Sequence, residues 1–268
     1  MEKTNGNGAR QDLLTAIAIG LVAYIAADLL HEGLGHGGAC LLSGGQPMVL
    51  STVHFECSHD TRLVLAGGTL ANLGAACVFW ALLRAARRAA GAWRYFFWMS
   101  MTINLLQAGG YFLFSGVGGI GDWAEFVKGL EPAWVWRAGL TVLGVVSYAA
   151  FVRFALLEMR PLIGGGPEDR VQRAVRLTVF PYLAGGTLSC IAGLFNPVGM
   201  VLVAISAAAA SFGGTSGLAW MAQWLKGGMI PSGTAENAAG IARNWVWIAA
   251  SGSLAAVFIF VLGPGLRL

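Results

Sequence analysis

The segment Leu13–Leu42 reads LLTAIAIGLVAYIAADLLHEGLGHGGACLL, a long apolar run that closes on a short polar motif. A helix needs about 20 apolar residues to cross the hydrocarbon core of a bilayer, so this segment is long enough to span it. It is too long for a signal peptide and has no small-residue cleavage site, so we expect it to persist as a helix. The chain is therefore predicted to be an integral membrane protein.

The composition of the whole chain indicates the same class. Apolar residues make up 56% of its 268 residues, charged residues make up 11%, and the mean hydropathy is +0.66. A soluble domain has about 25% charged residues, because its surface faces water. The net charge of +4 comes from basic clusters between apolar blocks, so we predict no nucleic-acid partner.

Further apolar blocks predict an all-α bundle of about seven transmembrane helices, forming a single membrane domain over residues 1–268. A short strand-like run, Met48–His54, alternates apolar and polar residues in the first loop. The predicted helices cover residues 13–42, 62–85, 95–115, 134–157, 175–195, 198–224 and 244–264.

Lysine and arginine residues occupy alternate links of this bundle. They precede the first helix and lie between helices two and three, four and five, and six and seven. The loops at residues 44–61 and 116–133 carry mainly acidic residues instead. Cytoplasmic loops are enriched in Lys and Arg, so the N-terminus is predicted to be cytoplasmic and the two acidic loops extracytoplasmic, in a bacterial-type inner or plasma membrane.

The polar motif that ends the first span carries the chemistry. His31 and Glu32 are followed by His36, and all four histidines of the chain fall between residues 31 and 59. Ionisable groups at the end of a membrane helix are costly to bury and usually functional, although polar caps at the water interface are an alternative. Two imidazoles that hold zinc beside a glutamate base are typical of metallohydrolases, so we predict a metal site here.

The spacing of this motif is one residue longer than the usual His-Glu-x-x-His. Five residues of an α-helix advance about 500°, which leaves His31 and His36 roughly 140° apart and unable to hold one ion. A local π-turn would return both rings to one face, and the glycines around His36 permit either such a turn or a broken helix. A catalytic zinc ion also needs a third ligand, for which Asp122 is the candidate; the alternative is an ordinary helix cap.

The loop after the first helix adds further candidates. His54 is a possible additional ligand or substrate contact, whereas His59 is either a ligand or a solvated loop residue. Cys40 and Cys57 flank this loop and either form a disulfide over the metal motif or remain thiols. Asp28 lies one turn before His31 and either orients its imidazole or faces a polar cavity.

Three segments resemble the site-2 protease type of intramembrane metalloprotease, peptidase family M50. They are His31-Glu32-x-x-x-His36, the stretch from Ala66 through Gly67 and Gly68 to Asn72, and Ile103-Asn104-Leu105-Leu106 followed by Asp122. The resemblance covers about residues 20–128 as a metalloprotease-like core. Residues 129–268 are then additional transmembrane helices.

This resemblance implies a zinc-dependent intramembrane hydrolase that acts on a membrane-embedded peptide. His31, His36 and Asp122 would be the zinc ligands, and Glu32 would take a proton from the attacking water. Asn72 and Asn104 would bind the substrate strand or the oxyanion. Two other functions stay open: an iron or copper enzyme for a lipid-soluble substrate, with His54 as a ligand, and a non-enzymatic metal-dependent transporter.

Overall fold

The computed structural model describes residues 11–164, 167–199, 203–226 and 240–268. The chain is mostly helical, and α7 is wound as a π-helix. The helices are α1 (Leu13–Leu42), α2 (Arg62–Ala85), α3 (Gly91–Gly118), α4 (Asp122–Phe126), α5 (Ala133–Ile163), α6 (Pro167–Leu194), α7 (Val203–Gly214), α8 (Gly217–Trp220) and α9 (Trp245–Leu262). The strands are β1 (Pro47–Leu50), β2 (Phe55–Cys57) and β3 (Leu266–Arg267).

Within the described residues, five helices are long and apolar enough to cross a membrane: α1, α2, α5, the part of α6 from Arg170 to Leu194, and α9. The first two have the predicted bounds. The third and fourth extend beyond the predictions, since α5 continues to Ile163 and α6 begins at Pro167. Helices extend past the apolar core into water, where hydropathy no longer marks their ends.

The two remaining predicted spans are not among these five. The helix predicted over residues 95–115 is α3, in which every residue from Trp98 to Phe112 is buried. Because other helices cover α3 instead of lipid, it tolerates polar residues such as Asn104 and Gln107. The predicted count of about seven spans therefore stays a prediction.

The segment predicted as a helix over residues 198–224 is interrupted. Residues 200–202 lie outside the described chain, and α7 and α8 are separated by a turn at Thr215 and Ser216. The amide N–H of Gly217 donates to the Tyr148 hydroxyl at 2.7 Å, so α5 contributes a partner to the backbone at this break. Tyr24 of α1 also bonds Thr215 here, at 2.6 Å between the two hydroxyl oxygens.

The strand-like loop forms a three-stranded antiparallel sheet in the order β2-β1-β3. The single strand predicted over Met48–His54 is wrong beyond Leu50, because the chain turns back there. The Ser51 hydroxyl accepts from the amide of His54 at 3.1 Å and closes this turn. Sequence patterning did not predict β3, which pairs Arg267 with Val49.

A disulfide between Cys40 and Cys57 joins the sheet to the end of α1. The sequence left a disulfide or two free thiols as alternatives, and the structure has the disulfide. Ala39, Phe55 and Val64 pack around the bonded cysteines as a small apolar cluster. The hairpin formed by β1 and β2 therefore lies directly beside the His-Glu motif.

Candidate metal centre

The His-Glu motif lies in a π-helical segment, Leu30–Gly37, which interrupts the α-helical winding of α1. Hydrogen bonds from residue i to i+5 widen the helix turn, so His31 and His36 come close to one face. Their ring centroids are 4.8 Å apart. The π-turn that the unusual spacing predicted is confirmed.

Glycines allow α2 to pack against this turn at backbone distance. A Cβ atom on Gly35 would lie 2.6 Å from the Cα of Gly68, which no side chain tolerates. A Cβ atom on Gly68 would in turn overlap the His31 imidazole. The Ala66-Gly67-Gly68 stretch therefore provides the space that His31 occupies.

Both imidazoles are oriented by a hydrogen bond at Nδ1. His36 Nδ1 lies 2.7 Å from the carbonyl oxygen of Val64, and His31 Nδ1 lies 2.6 Å from Oδ1 of Asn72. A carbonyl only accepts, so each ring carries a proton on Nδ1, and Nε2 can bind a cation once it gives up the proton that it shares with Asp122. This is the tautomer that a histidine metal ligand needs.

Asp122 reaches the two histidines from the turn between α3 and α4. Gly119 and Gly121 take φ values of +66° and +84° there, in the left-handed region that favours glycine. Trp123 then anchors α4 to α2, since its Nε1 donates to the Thr69 hydroxyl at 2.9 Å. Oδ2 of Asp122 lies 3.2 Å from His31 Nε2 and 3.4 Å from His36 Nε2.

This donor set has the dimensions of a zinc site. All three ligand atoms lie within 4.8 Å of one another. Zinc ligands at about 2.0–2.1 Å in tetrahedral geometry are separated by about 3.3 Å, close to the two distances that involve Asp122. With both imidazoles neutral and both carboxyls ionised, as binding of a cation would require, Asp122 and Glu32 would supply two negative charges for a divalent cation to neutralise.

The carboxyl of Asp122 is held in its ionised form. Burial alone raises its pKa, but contacts with His31 and His36 outweigh burial and hold the pKa below its ordinary range. An ionised carboxylate is the form that binds a metal ion.

Glu32 lies beside the three donors, and in the described part of the chain its side chain forms no hydrogen bond with any of them. The residue is 5% exposed, and its Oε2 atom has no hydrogen-bond partner among the described residues. Together with His36 and Asp122 it lines a cavity of about 240 Å³. The other lining residues are Val53, His54, Phe55, Asp60, Val64, Leu65, Tyr111, Phe114, Gly121, Glu125 and Ser206.

The two loop histidines lie outside the three-residue cluster. His54 lines the cavity, but its Nδ1 lies 3.0 Å from the Ser51 hydroxyl and its Nε2 lies 3.2 Å from Glu56. Its position fits the predicted substrate contact better than the predicted ligand role. His59 is exposed and contacts Ser58, away from the cavity lining.

Asn72 and Asn104 lie behind His31 and are not among the residues that line the cavity, so their contact with substrate or oxyanion stays a prediction. Both are fully buried. Asn72 donates to Oδ1 of Asn104 at 2.7 Å, which fixes its own Oδ1 toward His31. Asn104 donates to the Ser100 carbonyl at 2.8 Å and so holds Asn72 in place. Their amides are used in orienting a candidate ligand.

Asp28 does not orient His31 in the structure, because Asn72 occupies the Nδ1 position. Its Oδ2 atom is buried and has no hydrogen-bond partner within the described chain. The other predicted alternative, that Asp28 faces a polar cavity, stays a prediction.

Tyr111 is a site residue that the sequence reasoning missed. Its ring stacks on His31 at 4.5 Å between centroids, and it lines the cavity. Asn104, Gln107 and Tyr111 follow one another at i, i+3 and i+7 along α3, which places them on one helix face. This spacing is the feature of the sequence from which Tyr111 could have been identified as a site residue.

The centre thus combines two correctly oriented imidazoles, an ionised carboxylate and a free glutamate at one cavity. His31, Glu32 and His36 come from the π-helical segment of α1 and Asp122 from the start of α4, and α2 holds them together through Gly68, Thr69 and Asn72. Comparisons with protein-family models, curated proteins and solved structures find no match to this chain.

Proposed function

We propose that this protein is a zinc-dependent intramembrane hydrolase with a site-2-protease-like site. The observation that supports it most is the convergence of His31, His36 and Asp122 beside Glu32 in one cavity. Two imidazoles and a carboxylate leave positions open for water and substrate, as catalytic zinc sites do.

Each residue has a separate task in this proposal. His31, His36 and Asp122 would hold the ion, which when bound acts as a Lewis acid toward water and a carbonyl group. Glu32 would take the proton of the attacking water and pass it to the leaving amine. The apolar walls around them, such as Val53, Phe55 and Phe114, would limit the entry of further water.

The proposed substrate is a membrane-embedded or membrane-proximal peptide, with a lipid-soluble small molecule as the alternative. The cavity of about 240 Å³ beside the three donors would receive the part of the peptide to be cleaved, and its apolar lining, such as Leu65 and Phe114, suits an apolar segment.

The proposed topology follows the distribution of Lys and Arg. The N-terminus would be cytoplasmic and the metal centre extracytoplasmic, in a bacterial-type inner or plasma membrane. Adding α3 and the segment that contains α7 and α8 to the five apolar helices gives seven membrane segments.

Iron is the second candidate metal, because two histidines and one carboxylate are also the ligands of non-haem Fe(II) oxygenases. The copper or iron site that we predicted from His31, His36 and His54 is less well supported, since His54 is outside the cluster. The position of Glu32 favours hydrolysis, which needs a general base.

Metal content is the measurement that tests this proposal. We expect the purified protein in detergent to bind about one zinc ion per chain, measured by elemental mass spectrometry. His31→Ala, His36→Ala and Asp122→Ala each remove one of three ligands and should lose the ion. His54→Ala should keep it, because His54 is bonded elsewhere.

The controls make the result decisive. His59→Ala removes an exposed histidine and should leave the zinc content unchanged. One iron ion per chain that is lost in His31→Ala, His36→Ala and Asp122→Ala would favour redox chemistry instead of hydrolysis. A protein that binds no metal after reconstitution with zinc or iron would contradict both.

Asn72→Ala is expected to weaken zinc binding about 10- to 100-fold without removing a ligand. His31 would lose the acceptor that fixes its ring and tautomer. Chelator competition measures the affinity. Asn196→Ala is the matched control, since it removes another buried, hydrogen-bonded amide that does not line the cavity at the centre. Equal zinc affinity in Asn72→Ala and the unmodified protein would contradict the orienting role.

A further inference from the structure

A second cavity, of about 580 Å³, lies at the opposite end of α1 from the metal centre. Asp12 precedes α1 there, Arg173 and Arg176 come from α6, and Arg243 precedes α9. We call it the arginine cavity. From its position and charge, we propose that it binds a phosphate group, from either an anionic phospholipid headgroup or a soluble phosphate ester.

The position of the arginine cavity corresponds to a membrane boundary. The apolar helices α1 and α9 begin at Leu13 and Trp245, directly after the residues that line it. The apolar part of α6 begins at Arg170, one turn before Arg173. Asp12 and His31 are 19 positions apart, which is roughly 28 Å along a helix axis. Lipid phosphates lie at the depth where such spans begin.

The charge of the arginine cavity is positive after its internal ion pair is counted. Asp12 is the acidic lining residue, and its Oδ2 already pairs with Arg243 Nε at 2.8 Å. Its Oδ1 accepts from the amide of Thr15 at 2.9 Å as the cap of α1. Arg173 and Arg176 therefore leave two positive charges without a carboxylate partner among the side chains that the structure describes, which in α6 begin at Arg170.

The arginines also retain unused donors. Arg173 donates through Nη2 to the carbonyl of Gly164 at 2.6 Å, but its buried Nε atom has no partner among the side chains described from Arg170 onward and the backbone. Arg170, one turn earlier, is 8% exposed, and its Nη2 atom is likewise buried with no partner in that part of the structure. Buried donors of this kind need an acceptor, and arginine matches phosphate oxygens well.

Helix polarity adds to the attraction for an anion. The N-terminal ends of α1 and α9 meet at the arginine cavity. The backbone N–H of Asn244, the cap of α9, donates there to the Thr15 hydroxyl at 3.0 Å. Helix N-termini carry partial positive charge. Basic pockets between membrane helices are also common sites for anionic lipid headgroups.

Native mass spectrometry of the full chain in a neutral detergent tests the proposal. The probes are phosphatidylglycerol, phosphatidylcholine, glycerol 3-phosphate and inorganic phosphate, each titrated separately. We expect one phosphatidylglycerol to bind per chain ahead of phosphatidylcholine. Arg176→Gln, which removes an exposed side chain, should weaken that binding about fivefold, and Arg173→Gln should add to the loss.

The matched control is the pair Arg87→Gln and Arg88→Gln, which removes two exposed arginines from the turn between α2 and α3. It should leave the single tight lipid in place. Glycerol 3-phosphate that binds as tightly as phosphatidylglycerol, and more weakly in Arg173→Gln and Arg176→Gln, would support the site. It would identify a soluble phosphate ester as the ligand. Phosphatidylglycerol binding that is the same in Arg176→Gln, Arg173→Gln and the control would overturn the proposal.

Discussion

Glu32→Gln is expected to lower hydrolytic turnover about 10²- to 10⁴-fold while the bound zinc stays at one ion per chain. Glutamine has the shape of glutamate but cannot take a proton from water. Glu32 is not among the three clustered donors, so its replacement leaves the metal ligands in place. Loss of activity with full metal content is the signature of a general base.

The measurement needs a peptide that resembles a membrane segment. A quenched fluorescent peptide with an apolar core, reconstituted with the protein in lipid vesicles, reports cleavage directly. Glu131→Gln is the control, because Glu131 is exposed and bonds only the nearby amide of Ala133. If Glu32→Gln cleaves as fast as Glu131→Gln, Glu32 is not the base.

Gly68→Ala is expected to weaken zinc binding about 100-fold or more through a single added methyl group. The new Cβ atom would overlap the His31 ring, which is fixed on its other side by Asn72 and Tyr111. Either the imidazole moves or α2 shifts away from α1. Overpacking of this kind costs about 1–3 kcal/mol of stability.

Gly74→Ala is the matched control on the same helix. A Cβ atom on Gly74 would meet no atom within 4 Å among the described residues. Alanine is a better helix former than glycine by about 1 kcal/mol, so this variant should be as stable as the parent or more so. Thermal unfolding with and without zinc measures both effects. Zinc stabilisation of equal size in the two variants would contradict the packing explanation.

The features that follow from local chemistry were predictable from the sequence. The bounds of α1 and α2 agree with the predictions because polar residues punctuate both ends of their apolar runs, as Asp12 and Thr61 do by capping. The π-turn was predictable because no α-helix places His31 and His36 on one face. The nearness of Asp122 to these histidines agrees with the ligand set that the family resemblance implied.

The features that depend on helix rotation were not predictable. Asn72 and Asn104 were recognised as important, yet which face each amide presents depends on how α2 and α3 pack, which spacing alone does not give. The turn at Ser51 was missed because a hydroxyl interrupts an alternating pattern that otherwise indicates a strand. The pairing of β3 with β1 joins residues far apart in sequence, and no pattern within either segment signals it.

That pairing has a consequence for biosynthesis. The hairpin that carries His54 and Phe55 emerges soon after α1, but β3 follows α9 and is translated after all five apolar helices. The sheet beside the cavity therefore reaches its full width only after the last apolar helix has been synthesised. Translation order alone delays the completion of the candidate site's surroundings until nearly the whole chain has been made.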